Sequence, residues 1–178
     1  MSDSASADNS NVHPAALDEP SLLAACDVRR TRASGPGGQH RNKVETGIEI
    51  THRPTGLVAV GYERRSQEQN RRVAVRRLRQ LLAIEHRNVT SEVVEPSQLW
   101  DTRCKAGKIH CSSQHVDFPS MLAEAMNAIY AKSGDVKKAA AALGCSSSQL
   151  VRFLGKLPEA LQKVNRDREA LGLRKLRA

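Results

Sequence analysis

Thr46-Gly-Ile-Glu-Ile-Thr-His-Arg-Pro-Thr-Gly-Leu-Val-Ala-Val-Gly-Tyr62 is the stretch that decides the fold. Its first half alternates apolar and polar residues, so Ile48 and Ile50 share one face of an extended strand. Arg53-Pro-Thr-Gly56 places Pro54 and Gly56 where a turn needs a fixed and a permissive backbone. Leu57–Tyr62 returns as a second strand, and the whole reads as a β-hairpin. The period then changes. Ser66-Gln-Glu-Gln69 has the form of a capping box, with Ser66 at the N-cap. Beyond it Ala74, Leu78, Leu81 and Leu82 fall on one helical stripe. The other faces of that helix carry Arg71, Arg72, Arg76, Arg77 and Arg79, with no acid between Gln69 and Ile84. With no ion pairs available inside the helix, this face is expected to grip phosphates.

Working back toward the N-terminus, Cys26–Arg32 predicts a strand that feeds Arg32-Ala-Ser-Gly-Pro-Gly-Gly-Gln-His-Arg-Asn-Lys43. Gly37 and Gly38 open positive φ at two consecutive positions, and Pro36 stiffens the approach. Gln39 offers an amide that donates and accepts without titrating. His40, Arg41 and Lys43 flank the tip, and Asn42 suits the turn after it. The run reads as a tip that enters an anionic place and presents a backbone N–H with a neutral side chain. It brings no nucleophile of its own.

Composition points the same way. The 178 residues carry a formal net charge of +9, and all 28 Lys and Arg lie after residue 20. A basic body of this kind meets a polyanion, most often nucleic acid. Aromatics are 3% of residues, which argues against base-stacking platforms and for phosphate and shape recognition. Cys26, Cys104, Cys111 and Cys145 form no Cys-x-x-Cys pair, so reduced thiols, no metal and no cofactor are expected. The sequence has no bilayer-length apolar run and no signal-peptide pattern, so the expected location is the cytoplasm, away from membranes. A monomer is expected.

The expected organisation is a disordered leader over 1–20, a first globular unit over 21–88, a connector over 89–117 and a helical module over 118–178. The connector is read as holding one short strand, with Lys105-Ala-Gly-Lys108 as a basic turn. Val93, Val94, Leu99 and Trp100 are expected to pack on the first unit. From Pro119 onward Leu122, Ala125, Met126 and Ile129 repeat at helical spacing, as do Val136, Ala139, Ala140 and Leu143. Gly144 reads as a helix stop, Ser146-Ser-Ser-Gln149 as a second capping box, and Pro158 as the start of a last helix. Asp135–Lys156 has helix-turn-helix form and resembles the terminal DNA-binding unit of Fis-type regulators. Its second helix shows only Arg152 and Lys156, with no Asn or Gln after Gln149 to read base edges. A packing or rRNA-docking role is the better expectation. The fold class is therefore α+β: a short antiparallel sheet with a long basic helix, followed by an all-α module.

Arg32–Lys43, continued by Ile50-Thr-His-Arg-Pro-Thr-Gly56 and by Arg64-Arg-Ser-Gln67 with Asn70, resembles the catalytic domain of class I peptide chain release factors. It also resembles the stop-codon-independent ribosome-rescue factors that share that domain. The resemblance covers roughly residues 25 to 85 and rests on several separate blocks in the family's order. It implies a loop that enters the peptidyl transferase centre of the ribosome and hydrolyses the ester of peptidyl-tRNA, with Gly37, Gly38 and Gln39 as the catalytic triplet. Family members carry N-methylation on that glutamine, which makes a glutamine methyltransferase a candidate partner. Arg32, His40, Arg41, Lys43, Arg64, Arg65, Arg71, Arg72 and Arg76 are the expected RNA contacts. The chemistry suits the residues: the reaction needs a positioned water and stabilisation of developing charge, and the Gln39 N–H can supply the second. Residues 1–24 are too short for a codon-reading domain, and the sequence has no Pro-x-Thr or Ser-Pro-Phe reading triplet, so rescue without codon reading is expected. Position 41 is Arg where the family commonly has an apolar residue. An alternative is a catalytically inactive rRNA- or DNA-binding protein that uses the helix-turn-helix-like module, and codon-dependent termination requires a separate reading subunit.

Overall fold

The computed structural model describes residues 12–31, 46–89 and 91–178. The hairpin forms as the sequence predicts. Strands β1 (Cys26–Thr31), β2 (Gly47–His52) and β3 (Val58–Gly61) make an antiparallel sheet in that order. Ile48 lies opposite Arg30 and Gly61, and Ile50 lies opposite Val28 and Ala59. The two-residue period thus puts Ile48, Ile50 and Ala59 on one buried face. At the turn, His52 N–H donates to Leu57 O at 2.9 Å and Gly56 takes φ +69°. The Arg53 guanidinium reaches Ala24 O, Cys26 O and Asp27, which ties the turn to the end of helix α1 (Glu19–Ala24).

Helix α2 (Gln67–Glu85) closes the buried face of the sheet. Ser66 Oγ accepts from Gln69 N–H, as the capping box predicts, and Ala74, Leu78 and Leu82 are fully buried while Leu81 is half-buried. The helix sits very close to β3: a Cβ on Gly61 would lie 2.2 Å from Asn70 O.

On its far side α2 meets helix α4 (Phe118–Ala131) and a 3-10 turn at Pro14–Ala16. The leader expected over 1–20 therefore carries structure in its second half. His13 and Ala15 are buried, and Ser120 Oγ donates to Ala15 O at 3.3 Å. The Ser/Asp/Asn composition of the first residues masks this short apolar wedge; residues 1–11 lie outside the described residues.

The connector also differs from expectation. It holds helix α3 (Gln98–Arg103) and a two-stranded hairpin, β4 (Cys104–Lys105) with β5 (Lys108–Ile109), turned by Ala106 at φ 49° and Gly107 at φ 73°. Trp100 is held by the helical module. It is fully buried against Phe153, edge to face with ring centroids 6.1 Å apart, and its indole N–H donates to Leu143 O at 2.8 Å. That carbonyl caps helix α5 (Val136–Ala142) and belongs to the last turn, where carbonyls have no partner inside the helix, so the indole satisfies it.

Helices α5, α6 (Ser147–Gly155) and α7 (Pro158–Ala170) complete the chain. The apolar positions read from the periodicity, Leu122 to Ile129 and Val136 to Leu143, are buried. Gly144 takes φ +65°, and Ser146 Oγ accepts from Gln149 N–H at 3.2 Å. The basic tail doubles back on α7: Leu176 N–H donates to Asn165 Oδ1 at 2.7 Å, and Asn165 Nδ2 returns a bond to Leu176 O at 3.0 Å. One apolar core runs from Ala15 and Ile50 through α2 to Phe153 and Val164. The architecture is the α+β class predicted.

His13 gives this core a pH dependence. Its Nδ1 accepts from Ala15 N–H at 3.1 Å and its Nε2 meets His86 O at 3.2 Å, an arrangement that needs the neutral ring. Burial, helped by nearby His86 and Arg87, pulls the imidazole down to about 4. The unfolded ring titrates near 6.5, so the unfolded chain binds more protons between those values. Stability from this group is complete above pH 6.5 and is lost as pH falls toward 4. Urea unfolding should show about 2 kcal/mol lost to this group between pH 7 and pH 5. His13→Gln should flatten the profile by that amount; parallel profiles would contradict the assignment.

Candidate functional site

The glycine-rich run leaves the sheet at one end and returns to it at the same end. The last rung of the β1–β2 ladder pairs Thr31 with Gly47, so residues 32–45 begin and end at neighbouring backbone positions. Gly37, Gly38, Gln39, Arg32, His40, Arg41 and Lys43 lie outside the described residues. What is described is the root that carries them. Gly47 is required there by space: a Cβ would lie 2.7 Å from Thr31 O and 2.8 Å from Thr31 Cγ2. One residue earlier, Thr46 O accepts from Asn70 Nδ2 at 2.7 Å. Asn70 is fully buried, and it also brackets Arg64, donating to Arg64 O at 2.9 Å and accepting from Arg64 N–H at 2.8 Å.

The arginines expected to contact RNA divide into two sets. Arg64 and Arg65, between β3 and α2, are exposed and have no acidic partner among the described residues. Those on α2 are engaged, which corrects the expectation that no ion pairs are available there. Arg72 Nε lies 3.0 Å from Glu68, and Arg71 lies 3.4 Å from Glu19 and 3.8 Å from Glu68. Arg77 pairs with Glu63 and donates to Val60 O at 2.6 Å. Arg76 donates to Gln114 Oε1 at 2.5 Å and to Ser113 O at 2.8 Å, which ties α2 to the segment before α4. Glu68 stands one residue ahead of the acid-free window, and Glu19 and Glu63 arrive through the fold. Burial opposes the Glu63 carboxylate, yet bonds from Tyr62 N–H and Arg77 outweigh it and hold it below the usual range. Exposed pairs such as Arg72–Glu68 contribute at most about 1 kcal/mol, so a phosphate can displace them. Arg76 and Arg77 hold the backbone and are less free to do so.

Two cations at the loop root escaped the sequence reading. Arg29 and Arg30 end β1 just before Thr31, both exposed and without an acidic partner among the described residues. The two-residue period sends them to opposite faces: Arg29 lines up with Glu49, Arg30 with Ile48. The predicted strand Cys26–Arg32 already contained that signal. Arg29 and Arg30 thus precede the point where the described part of β1 ends, and the Asn70 bonds tie the Arg64 backbone, next to Arg65, to Thr46 just before β2.

Two polar side chains of the helix-turn-helix-like unit bond to the backbone at β5 and just after it. Gln149 Oε1 accepts from Ile109 N–H at 3.5 Å, and Lys156 Nζ donates to Cys111 O at 2.7 Å. Arg152 stays exposed. Among the described residues no cluster of three or more His, Cys, Asp or Glu is placed to hold a metal ion, and no helix is long and apolar enough to cross a membrane.

The RF-1 domain family matches residues 24–115, and the chain belongs to that family. Peptide chain release factor 1 of Acidiphilium cryptum (strain JF-5) is 56% identical over 48 residues, covering 27% of this chain and 14% of that protein. Peptide chain release factor 2 of Acidovorax sp. (strain JS42) is 44% identical over 87 residues, covering 47% of this chain and 23% of that protein. Peptide chain release factor 2 of Staphylococcus epidermidis (strain ATCC 12228 / FDA PCI 1200) is 53% identical over 51 residues, 29% of this chain and 14% of that protein. The matched segments thus span less than a quarter of each of these relatives. Helices α4–α7 lie beyond the end of the family match.

Gly47→Ala tests the loop root. The added methyl meets a backbone oxygen, so the strands must part, at a cost of about 1–3 kcal/mol in a urea unfolding curve. Wild-type stability in this variant would contradict the close approach.

Proposed function

We propose that this chain hydrolyses the ester of peptidyl-tRNA inside the ribosomal peptidyl transferase centre and so releases the nascent peptide. The observation that carries the reading is the Gly37-Gly38-Gln39 triplet, set within the segment that matches the RF-1 domain family. The triplet suits the reaction. A tight glycine backbone lets the Gln39 N–H face the oxyanion or the leaving 3′-oxygen, and the neutral amide side chain leaves room for water. rRNA and the tRNA's own 2′-hydroxyl provide the surrounding polar groups. Gln39 is then a natural substrate for a glutamine methyltransferase.

The exposed arginines at the loop root support the same reading. Arg64 and Arg65, with Arg29 and Arg30, offer phosphate contacts beside the segment that must approach RNA, and Arg71 and Arg72 add contacts when Glu68 yields. Arg32, His40, Arg41 and Lys43 extend the set along the loop. The finer reading is release on stalled ribosomes without a codon, in the cytoplasm and as a monomer. The codon-independent part of that reading rests on residues 1–178 holding neither Pro-x-Thr nor Ser-Pro-Phe. In this scheme the module over 118–178 docks or packs. The bonds of Gln149 and Lys156 to backbone count against the alternative of sequence-specific DNA binding, since they occupy two of the few polar groups available for base edges.

Peptide release from ribosomes stalled without a stop codon tests the activity. Gly38→Ala should cut the rate about 100-fold, the scale of a lost oxyanion donor, with binding retained. Undiminished release in this variant, or none by the wild type, would refute the reading. Binding tests the arginine collar. Replacing Arg64 and Arg65 by Ala should weaken ribosome binding and reduce the log–log salt slope by about two, one for each lost phosphate contact. An unchanged slope would remove these residues from the interface.

A further inference from the structure

We propose that Asn70 is a positioning residue for peptide release: it fixes the point at which the glycine-rich segment re-enters the sheet. The proposal rests on the release reading above. Among the described residues the β1–β2 ladder ends at the Thr31–Gly47 rung. One residue before Gly47, the Thr46 carbonyl is held by Asn70 Nδ2 at 2.7 Å. The same NH2 group donates to Arg64 O at 2.9 Å, and Oδ1 accepts from Arg64 N–H at 2.8 Å. One buried amide thus couples three segments: the loop end at Thr46, the arginine pair at Arg64 and the first turns of α2. Its burial is complete.

Only an amide side chain meets this geometry. Two carbonyls need donors and one N–H needs an acceptor, all within reach of a short side chain. Aspartate has the same shape but aims a carboxylate at two carbonyl oxygens. Alanine takes the partner from two carbonyls and an N–H in a part-buried site. The close seat of α2 makes this reach possible, because Gly61 lets the backbone of Asn70 come within the distance a Cβ would forbid. A shift of about 1 Å in a catalytic group can cost on the order of 100-fold in rate, so a loosened loop root acts on turnover rather than on binding. Arg29, Arg30, Arg64 and Arg65 keep their charges in Asn70 variants, and the affinity for the ribosome should persist.

The full chain is assayed for peptide release on stalled ribosomes over a range of factor concentrations, as wild type, Asn70→Ala and Asn70→Asp. Ile129→Val, a core substitution in α4, serves as the control for simple destabilisation. The proposal predicts a 10- to 100-fold lower rate at saturation in both Asn70 variants, half-saturation within about two-fold of wild type, and near-normal turnover for Ile129→Val. Hydrogen exchange of the free chains should show the Arg64 amide losing protection in Asn70→Ala. Wild-type release with an unchanged saturating rate in the Asn70 variants overturns the positioning role alone. Unfolding of both variants at the assay temperature makes Asn70 a fold-holding residue only, and likewise overturns it. A wild-type chain without release activity overturns the proposed function, and the positioning role with it.

Discussion

The seat of α2 on β3 is the constraint on which the rest depends. Gly61 has no Cβ, and the Asn70 carbonyl fills the space one would take. That contact brings the helix down onto Ile48, Ile50 and Ala59, and it sets the distance from which the Asn70 amide reaches Thr46 and Arg64. The opposite face of α2 receives α4 and the Pro14–Ala16 turn. A helix held this close on one side is a firm floor for what packs on the other. The loop root and the C-terminal helices thus share one support, although the family match ends at residue 115.

Electrostatics sort the basic residues by task. Ion pairs and backbone bonds occupy Arg53, Arg76, Arg77 and Arg168, which act as struts between segments. Arg29, Arg30, Arg64 and Arg65 are left exposed at the loop root. A high net positive charge draws a polyanion to the whole surface, but only cations without internal partners give up nothing when they bind phosphate. The number of arginines on α2 therefore overstates its readiness to bind, and the strand and turn beside the loop are the better-prepared surface.

The parts legible in sequence were those set by local rules. The alternation over Thr46–His52 and Val58–Gly61, the Ser66 and Ser146 caps and the stripes on α2, α4 and α5 all follow from period and capping. The parts that were not legible depend on tertiary meetings. Glu19 and Glu63 reach α2 from other segments, and Glu68 lay one residue outside the window that seemed acid-free. The apolar character of Trp100 predicts packing, but its indole N–H bond to the carbonyl at the end of α5 depends on a partner 43 residues away. Asn70 stood in the sequence as one member of a motif; its role as a bracket needs three partners from separate segments. Of the candidate site, the triplet and the arginine pair are legible in the sequence, but the Asn70 bonds to Thr46 and Arg64 are not.

Native-state hydrogen exchange on Gly61→Ala probes the seat of α2 on β3, since that methyl acts at the contact and nowhere else. The added Cβ should lift α2, so that amides of β2, β3 and α4 lose protection together and the chain unfolds in one transition at lower denaturant. Protection lost in the sheet alone with α4 at wild-type levels, or no loss at all, would contradict it.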